Sequence, residues 1–268
     1  MELEDLGNCR GRADPILLVH GFGGGRRAWG PDILQALGRD RRVLAVDLLG
    51  HGDSDDPSAP GRVALAPVLD DLERVLDLVG VGSCAWVGYS MGGRIALAAA
   101  VLRPERVARL ALESASPGLA TQAERGDRLE RDQTLARTIE GEGVEAWVEA
   151  WEENPLFAAR RTLSPDVRAS FLALRRANRP ASLASWLRGL GTGTQPSFWD
   201  RLDEVRAPAL LVTGAADARY TRIARAMAAE MPRARHEVVA GAGHTVHLEN
   251  PTAWISSVIP FLDEESGP

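Results

Sequence analysis

Three residues far apart in the chain have the types and settings of a proton-relay site. They are Ser90 in "VGYSMGGR", Asp217 at the end of "LLVTGAAD", and His244 at the end of "GAGH". A serine hydroxyl is a weak nucleophile and a weak base. A histidine within hydrogen-bond reach takes its proton, and a carboxylate behind that histidine fixes the tautomer. Ser90 stands between Gly88 and Gly92 in a G-x-S-x-G pattern, whose glycines permit a sharp turn from strand to helix. The turn lifts the serine above the sheet edge and aims a helix N-terminus at the site. The Met91 N–H and one from the loop "HGFGGG", with Phe22 as the expected donor, would form an anion hole. Arg94 follows Ser90 by about one helical turn and can point toward the same mouth. Two chemistries stand open here. Ser90 attacks an ester carbonyl and becomes acylated, or it serves as a base for a substrate that Arg94 helps to hold.

Other residues compete less well. His247 rivals His244, but "GAGH" puts His244 directly after a strand. Asp200 and Asp203 precede their strand and read as polar loop or helix residues. His20 and His51 read as loop-packing side chains. No His/Cys/Asp cluster has zinc spacing, and "GGGRR" lacks the G-K-[ST] ending of a phosphate loop. No metal and no organic cofactor are expected.

The elements that must position these residues alternate. "ILLVHG", "RVLAVD", "CAWVGYS", "VARLALE", "APALLVTG" and "RHEVVAG" read as strands. "LAPVLDDLERVLDLVG", "MGGRIALAAAVL", "TRIARAMAAEM" and "TAWISSVIPFLDE" read as helices. Strands alternating with helices predict βαβ units and a mostly parallel sheet flanked by helices, an α/β fold. The pattern breaks over residues 117–196, where no strand is evident and the segments rich in Arg, Glu and Trp look helical. This predicts a core of 1–116 and 197–268 with a helical cap of 117–196. Trp147 and Trp151, four apart on one helix face, suit the packing of that cap. The roughly fifteen residues before "ILLVHG" leave room for one short hairpin at about 3.3 Å per residue.

The chain has 268 residues, 45% of them hydrophobic and 25% charged, as in an ordinary globular protein. A net charge of −6 argues against a nucleic-acid partner, so any anion must be met by local arginines. The N-terminus is polar and has no apolar signal region, and no run approaches a membrane span. A cytoplasmic protein without membrane insertion is expected. Two cysteines, Cys9 and Cys84, argue against a disulfide framework, and Cys84 in its apolar run reads as a small core residue.

The motifs "LLVHGFGG", "VDLLGHGDS", "GYSMGGR" and "GAGHTVHLENP", in the chain order Ser…Asp…His, resemble the α/β-hydrolase fold. That resemblance places the cap after the sixth strand. "LESASPGL", "AWEENPLF", "LALRRAN" and "GLGTGTQPSFWD" are similar to one subfamily, the 2-succinyl-6-hydroxy-2,4-cyclohexadiene-1-carboxylate synthases of menaquinone biosynthesis. The resemblance implies a lyase that releases pyruvate from a cyclohexene tricarboxylate, with Ser90 as base through His244 and Asp217. It implies substrate contacts from Arg94, from Arg128 in "RLERD" and Arg175 in "LALRRAN", and from Tyr89 and Trp151 as polar-tipped aromatic walls. Arg125 and Arg131 flank Arg128 and compete for its place. Arginine suits this role because its planar fork binds carboxylates through two parallel hydrogen bonds. Two rivals are a serine carboxylesterase working through an acyl-enzyme and a non-catalytic ligand-binding protein on the same fold.

Overall fold

In the computed structural model, which describes residues 1–7, 14–59 and 61–264, alternation along the strands sorts side chains onto two faces. In β2 (Ile16–Val19), Leu17 and Val19 join one apolar cluster while Ile16 and Leu18 join the other. The same split runs through β3 (Arg42–Asp47), with Leu44 and Val46 opposite Val43 and Ala45. It continues in β4 (Cys84–Tyr89), β5 (Val107–Glu113) and β6 (Ala209–Gly214). Both faces are buried because each is covered by helices, as a parallel sheet requires. One cover is α2 (Leu65–Leu78), α3 (Met91–Leu102) and α7 (Ala218–Glu230). The other is α1 (Gly30–Gly38) and α9 (Pro251–Asp263), which follows the single turn α8 (Val246–Glu249).

The seven strands lie in the order β1-β3-β2-β4-β5-β6-β7, where β1 is Glu2–Gly7 and β7 is Ala234–Val239. All neighbours are parallel except β1, which runs antiparallel to β3 with Glu2 opposite Asp47. Among the described residues β1 makes no hairpin with β2. β1 is tied down by Arg42 on Asp5 (2.6 Å) and by Ser54 Oγ accepting from Glu2 N–H (2.7 Å). Among the described residues five strands, not six, precede the helical segment. Cys84 is buried in the core, and burial pushes its thiol up to about 12. Cys9 lies outside the described residues.

Between β5 and β6 the chain forms α4 (Gln122–Glu152), α5 (Pro165–Arg176) and α6 (Pro180–Leu190). A capping box starts α4. Thr121 Oγ1 accepts from Glu124 N–H, and Glu124 accepts from Thr121 N–H. The helix changes direction at Gly143, whose φ of +86° suits glycine. These helices share an apolar cluster separate from the sheet, built on Ile139, Trp147, Val148, Leu183 and Leu187. Pro165 and Pro180 each sit in a first helical turn, where the missing N–H costs nothing.

Candidate active site

Ser90 occupies the turn between β4 and α3 with φ +52° and ψ −108°, a conformation non-glycine residues rarely adopt. The strain is held by close packing. A Cβ on Gly92 would lie 2.0 Å from Val19 O, and one on Gly88 would lie 2.5 Å from Gly92 O. Ser90 N–H donates to Glu113 O at 2.8 Å, which anchors the turn to the next strand.

Two loops bring the partners to it. Asp217 ends the loop after β6 and caps α7, its Oδ1 accepting from Tyr220 N–H at 3.0 Å. His244 follows β7. His244 Nδ1 donates to Asp217 Oδ2 at 2.7 Å, and its Nε2 stands 3.2 Å from Ser90 Oγ. A carboxylate only accepts, so the Nδ1–H tautomer is selected and Nε2 faces the Ser90 hydroxyl as an unprotonated acceptor. The imidazole is wedged among the rings of Tyr220 (4.5 Å), Phe157 (5.5 Å) and Tyr89 (5.6 Å). Burial lowers its pKa below the ordinary 6.5, against the opposing pull of Asp217. The ring is thereby kept neutral, with its Nε2 toward Ser90 Oγ.

The loop "HGFGGG" is held by two buried histidines. His20 Nε2 accepts from Leu48 N–H at 3.1 Å and its Nδ1 donates to Gly21 O at 2.8 Å. His51 Nε2 accepts from Gly23 N–H at 3.2 Å. Both are kept neutral chiefly by burial. The packing role expected for them thus includes fixing the loop that carries Phe22. From the other side, α5 and the turn that follows it grip the same loop. Asn178 Nδ2 donates to Gly23 O at 2.9 Å, and Arg175 Nη1 donates to Phe22 O at 3.4 Å.

Ser90, Phe22, Met91, Asp217 and His244 line one cavity of about 720 Å³, roofed by α4, α6 and the turn Pro155–Thr162. Arg94, Arg128 and Trp151 line it as well. Arg94 is buried, and burial lowers its guanidinium to about 10. Among the described residues it makes no ion pair. Its Nη1 donates to Leu190 O and Gln195 Oε1. Arg128 differs, since its Nε is paired with buried Asp132 at 2.7 Å. Arg131 also reaches the wall, while Arg125 does not line the cavity and bonds Leu119 O.

Tyr89 and Arg175 do not line it. Tyr89 sits beneath, its hydroxyl 2.9 Å from Thr245 Oγ1. Arg175 lies behind the Phe22–Trp151 wall, its guanidinium 4.6 Å from the Trp147 ring and 5.6 Å from that of Trp151. Burial and nearby Arg160 lower it to about 9, and its Nε and Nη2 have no partner among the described residues.

Sequence reasoning missed Arg160. It is buried between the Phe157 and Phe171 rings, and it donates to Thr245 Oγ1 (2.9 Å), Glu152 Oε1 (2.9 Å) and Tyr89 OH (3.3 Å). One side chain thus ties α4 to residues adjacent to both His244 and Ser90.

The alpha/beta hydrolase fold family model matches residues 14–251. A 2-succinyl-6-hydroxy-2,4-cyclohexadiene-1-carboxylate synthase of Citrobacter koseri is 32% identical over 92% of this chain and 93% of its own. A Bacillus subtilis protein provisionally assigned the same name is 38% identical over 93% of this chain and 90% of its own. The structure of MenH from S. aureus, 29% identical, superposes over 99% of both chains with a TM-score of 0.94. The chain belongs to the α/β-hydrolase fold family and, within it, to the 2-succinyl-6-hydroxy-2,4-cyclohexadiene-1-carboxylate synthases.

Proposed function

We propose that the protein is a carbon–oxygen lyase of menaquinone biosynthesis. It eliminates pyruvate from 2-succinyl-5-enolpyruvyl-6-hydroxy-3-cyclohexene-1-carboxylate and leaves 2-succinyl-6-hydroxy-2,4-cyclohexadiene-1-carboxylate. Kinship supports the activity. The observation that carries it in this chain is Arg94, a buried guanidinium with no carboxylate partner among the described residues, on the wall of the cavity that holds Ser90. A buried cation left without a counter-ion is costly and is explained by an anionic ligand that completes it.

The residues divide the work as follows. His244 takes the Ser90 proton as Asp217 stabilises the imidazolium. The Ser90 oxygen removes a proton from the ring carbon beside the succinyl ketone. The electron pair moves through the ring, the bond to the enolpyruvyl oxygen breaks with its electrons left on that oxygen, and the departing enolate becomes pyruvate on gaining one proton at its methylene carbon. Negative charge gathers on the ketone oxygen during this step, where the Phe22 and Met91 N–H groups receive it. Arg94 and Arg128 hold carboxylates of this small anionic substrate, and Trp151 packs against the ring. Arg175 and Tyr89 act from behind the wall, on the Phe22 loop and on Thr245. Residues 117–196 serve as a cap that keeps water from the cavity. No nucleic-acid or membrane partner enters this scheme.

A coupled assay of pyruvate release from the enzymatically made substrate tests the reading. Wild type should release pyruvate rapidly, and Ser90→Ala should lose about three or more orders of magnitude. Release no faster than the spontaneous background, together with a burst of acylation by activated esters, would replace the lyase with an acyl-enzyme hydrolase. Ligand binding retained without any turnover would leave a binding protein.

A further inference from the structure

The partner that holds Arg94 is unusual in kind. Gln195 lies in the loop between α6 and β6, its own N–H donating to Gly191 O at 2.9 Å, and its side chain is buried. A guanidinium has only donors, so the amide must turn its oxygen toward Arg94, and Gln195 Oε1 accepts from Arg94 Nη1. This leaves Gln195 Nε2 buried with no partner among the described residues. A glutamate of the same shape would accept from Arg94 with a full charge and would bury no orphaned donor. Stability alone therefore favours Glu at this position. What Glu would remove is the charge. A carboxylate in contact with Arg94 cancels its field inside the cavity, where a low dielectric makes that field count most.

We propose that Gln195 is a positioning residue for anion recognition, an uncharged clamp that aims Arg94 without neutralising it. Together with Leu190 O it occupies Nη1 only, which leaves Nε and Nη2 of Arg94 for a substrate carboxylate. The proposal rests on the lyase reading for the identity of the substrate. The clamp can be tested apart from that reading.

The test compares wild type, Gln195→Glu, Gln195→Ala, Arg94→Ala and the Arg94→Ala/Gln195→Glu double variant. The probe is 2-succinylbenzoate, a stable dicarboxylate of the same side-chain pattern, titrated calorimetrically beside thermal melts. Gln195→Glu should weaken binding at least tenfold while its melting temperature stays equal or rises. Gln195→Ala should weaken binding less, and Gln195→Glu should add nothing in the Arg94→Ala background. With turnover measured, the loss in Gln195→Glu should fall on KM more than on kcat. Gln195→Glu binding within twofold of wild type would overturn the clamp, as would a wild type that does not bind the probe. Wild type that binds the probe but releases no pyruvate would sink the lyase reading and leave the clamp standing.

Discussion

Asp217 and His244 are joined by a 2.7 Å hydrogen bond from Nδ1 to Oδ2, with both side chains almost entirely buried. Such a bond does two things. It selects the tautomer that leaves Nε2 free toward Ser90, and it offsets part of the cost of forming an imidazolium in an apolar ring cage. Asp217→Asn keeps the shape and loses both. A loss of about 10⁴ in kcat is expected, by analogy with other relays of this kind. A variant within tenfold of wild type would mean that Asp217 is only the cap of α7.

In the proposed mechanism the same pair is expected to set the pH profile. His244 must be neutral to accept a proton, and burial places its pKa below 6.5. The acid limb of kcat/KM for the free enzyme should therefore lie below pH 6.5, with full activity above it. A limb at or above pH 7 would show that another group controls the rate.

His20 and His51 tie pH to stability. Each accepts a backbone N–H through Nε2, which only a neutral ring can do, and each has its pKa lowered by burial. The unfolded chain binds protons at these sites at higher pH than the folded chain. Stability is therefore full above pH 6.5 and declines as pH falls below it. Thermal melts between pH 8 and pH 5 should show the decline. His51→Asn, whose side-chain oxygen accepts at any pH, should melt lower at pH 8 but with a shallower acid slope. An unchanged slope would remove His51 from the account.

Where chemistry coincided with a turn or a period, the sequence was legible. Ser90, Asp217 and His244 each follow an apolar strand run at a glycine-marked loop, so their elements and their convergence could be read together. The edge strand β1 could not be read that way, because "ELEDLG" carries three acids and half of its positions face solvent. Nor could α1, which buries only Ile33 and Leu37. In the helical segment, arginine burial depends on tertiary packing that no local pattern records. Arg160 is buried, while its neighbour Arg161 pairs with Glu153 in solvent. Arg175 lies behind the cavity wall, while Arg176 pairs with Glu145 outside.

Arg160 makes the next prediction one of stability. Its removal leaves Glu152 buried without its ion-pair partner, which costs about 3–5 kcal/mol. Because both residues belong to one network, the Arg160→Ala/Glu152→Ala double variant should lose clearly less than the sum of the two single changes. Denaturant unfolding of the four proteins decides this. Additive losses would mean that Arg160 stabilises through its ring stacking and its bonds to Thr245 and Tyr89, with Glu152 incidental.

Arg94 and Arg128 line the same cavity but should respond differently to removal. Arg94→Ala deletes a cation that no protein carboxylate accompanies among the described residues. Its loss should fall on substrate handling, about 10- to 100-fold in kcat/KM if one charge-assisted hydrogen bond of about 1.5–3 kcal/mol is forfeited. Arg128→Ala instead strips Asp132, itself 2% exposed, of its ion pair and leaves it Gly193 N–H at 3.2 Å. That variant should be less stable, and the freed carboxylate should repel an anionic substrate. Pairing Arg128→Ala with Asp132→Asn should restore part of both losses, whereas Arg94→Ala should gain nothing from Asp132→Asn. Kinetics and melts of these variants separate the two arginines. If Asp132→Asn rescues both or neither, the cavity reads its arginines as one pooled charge and not as two distinct contacts.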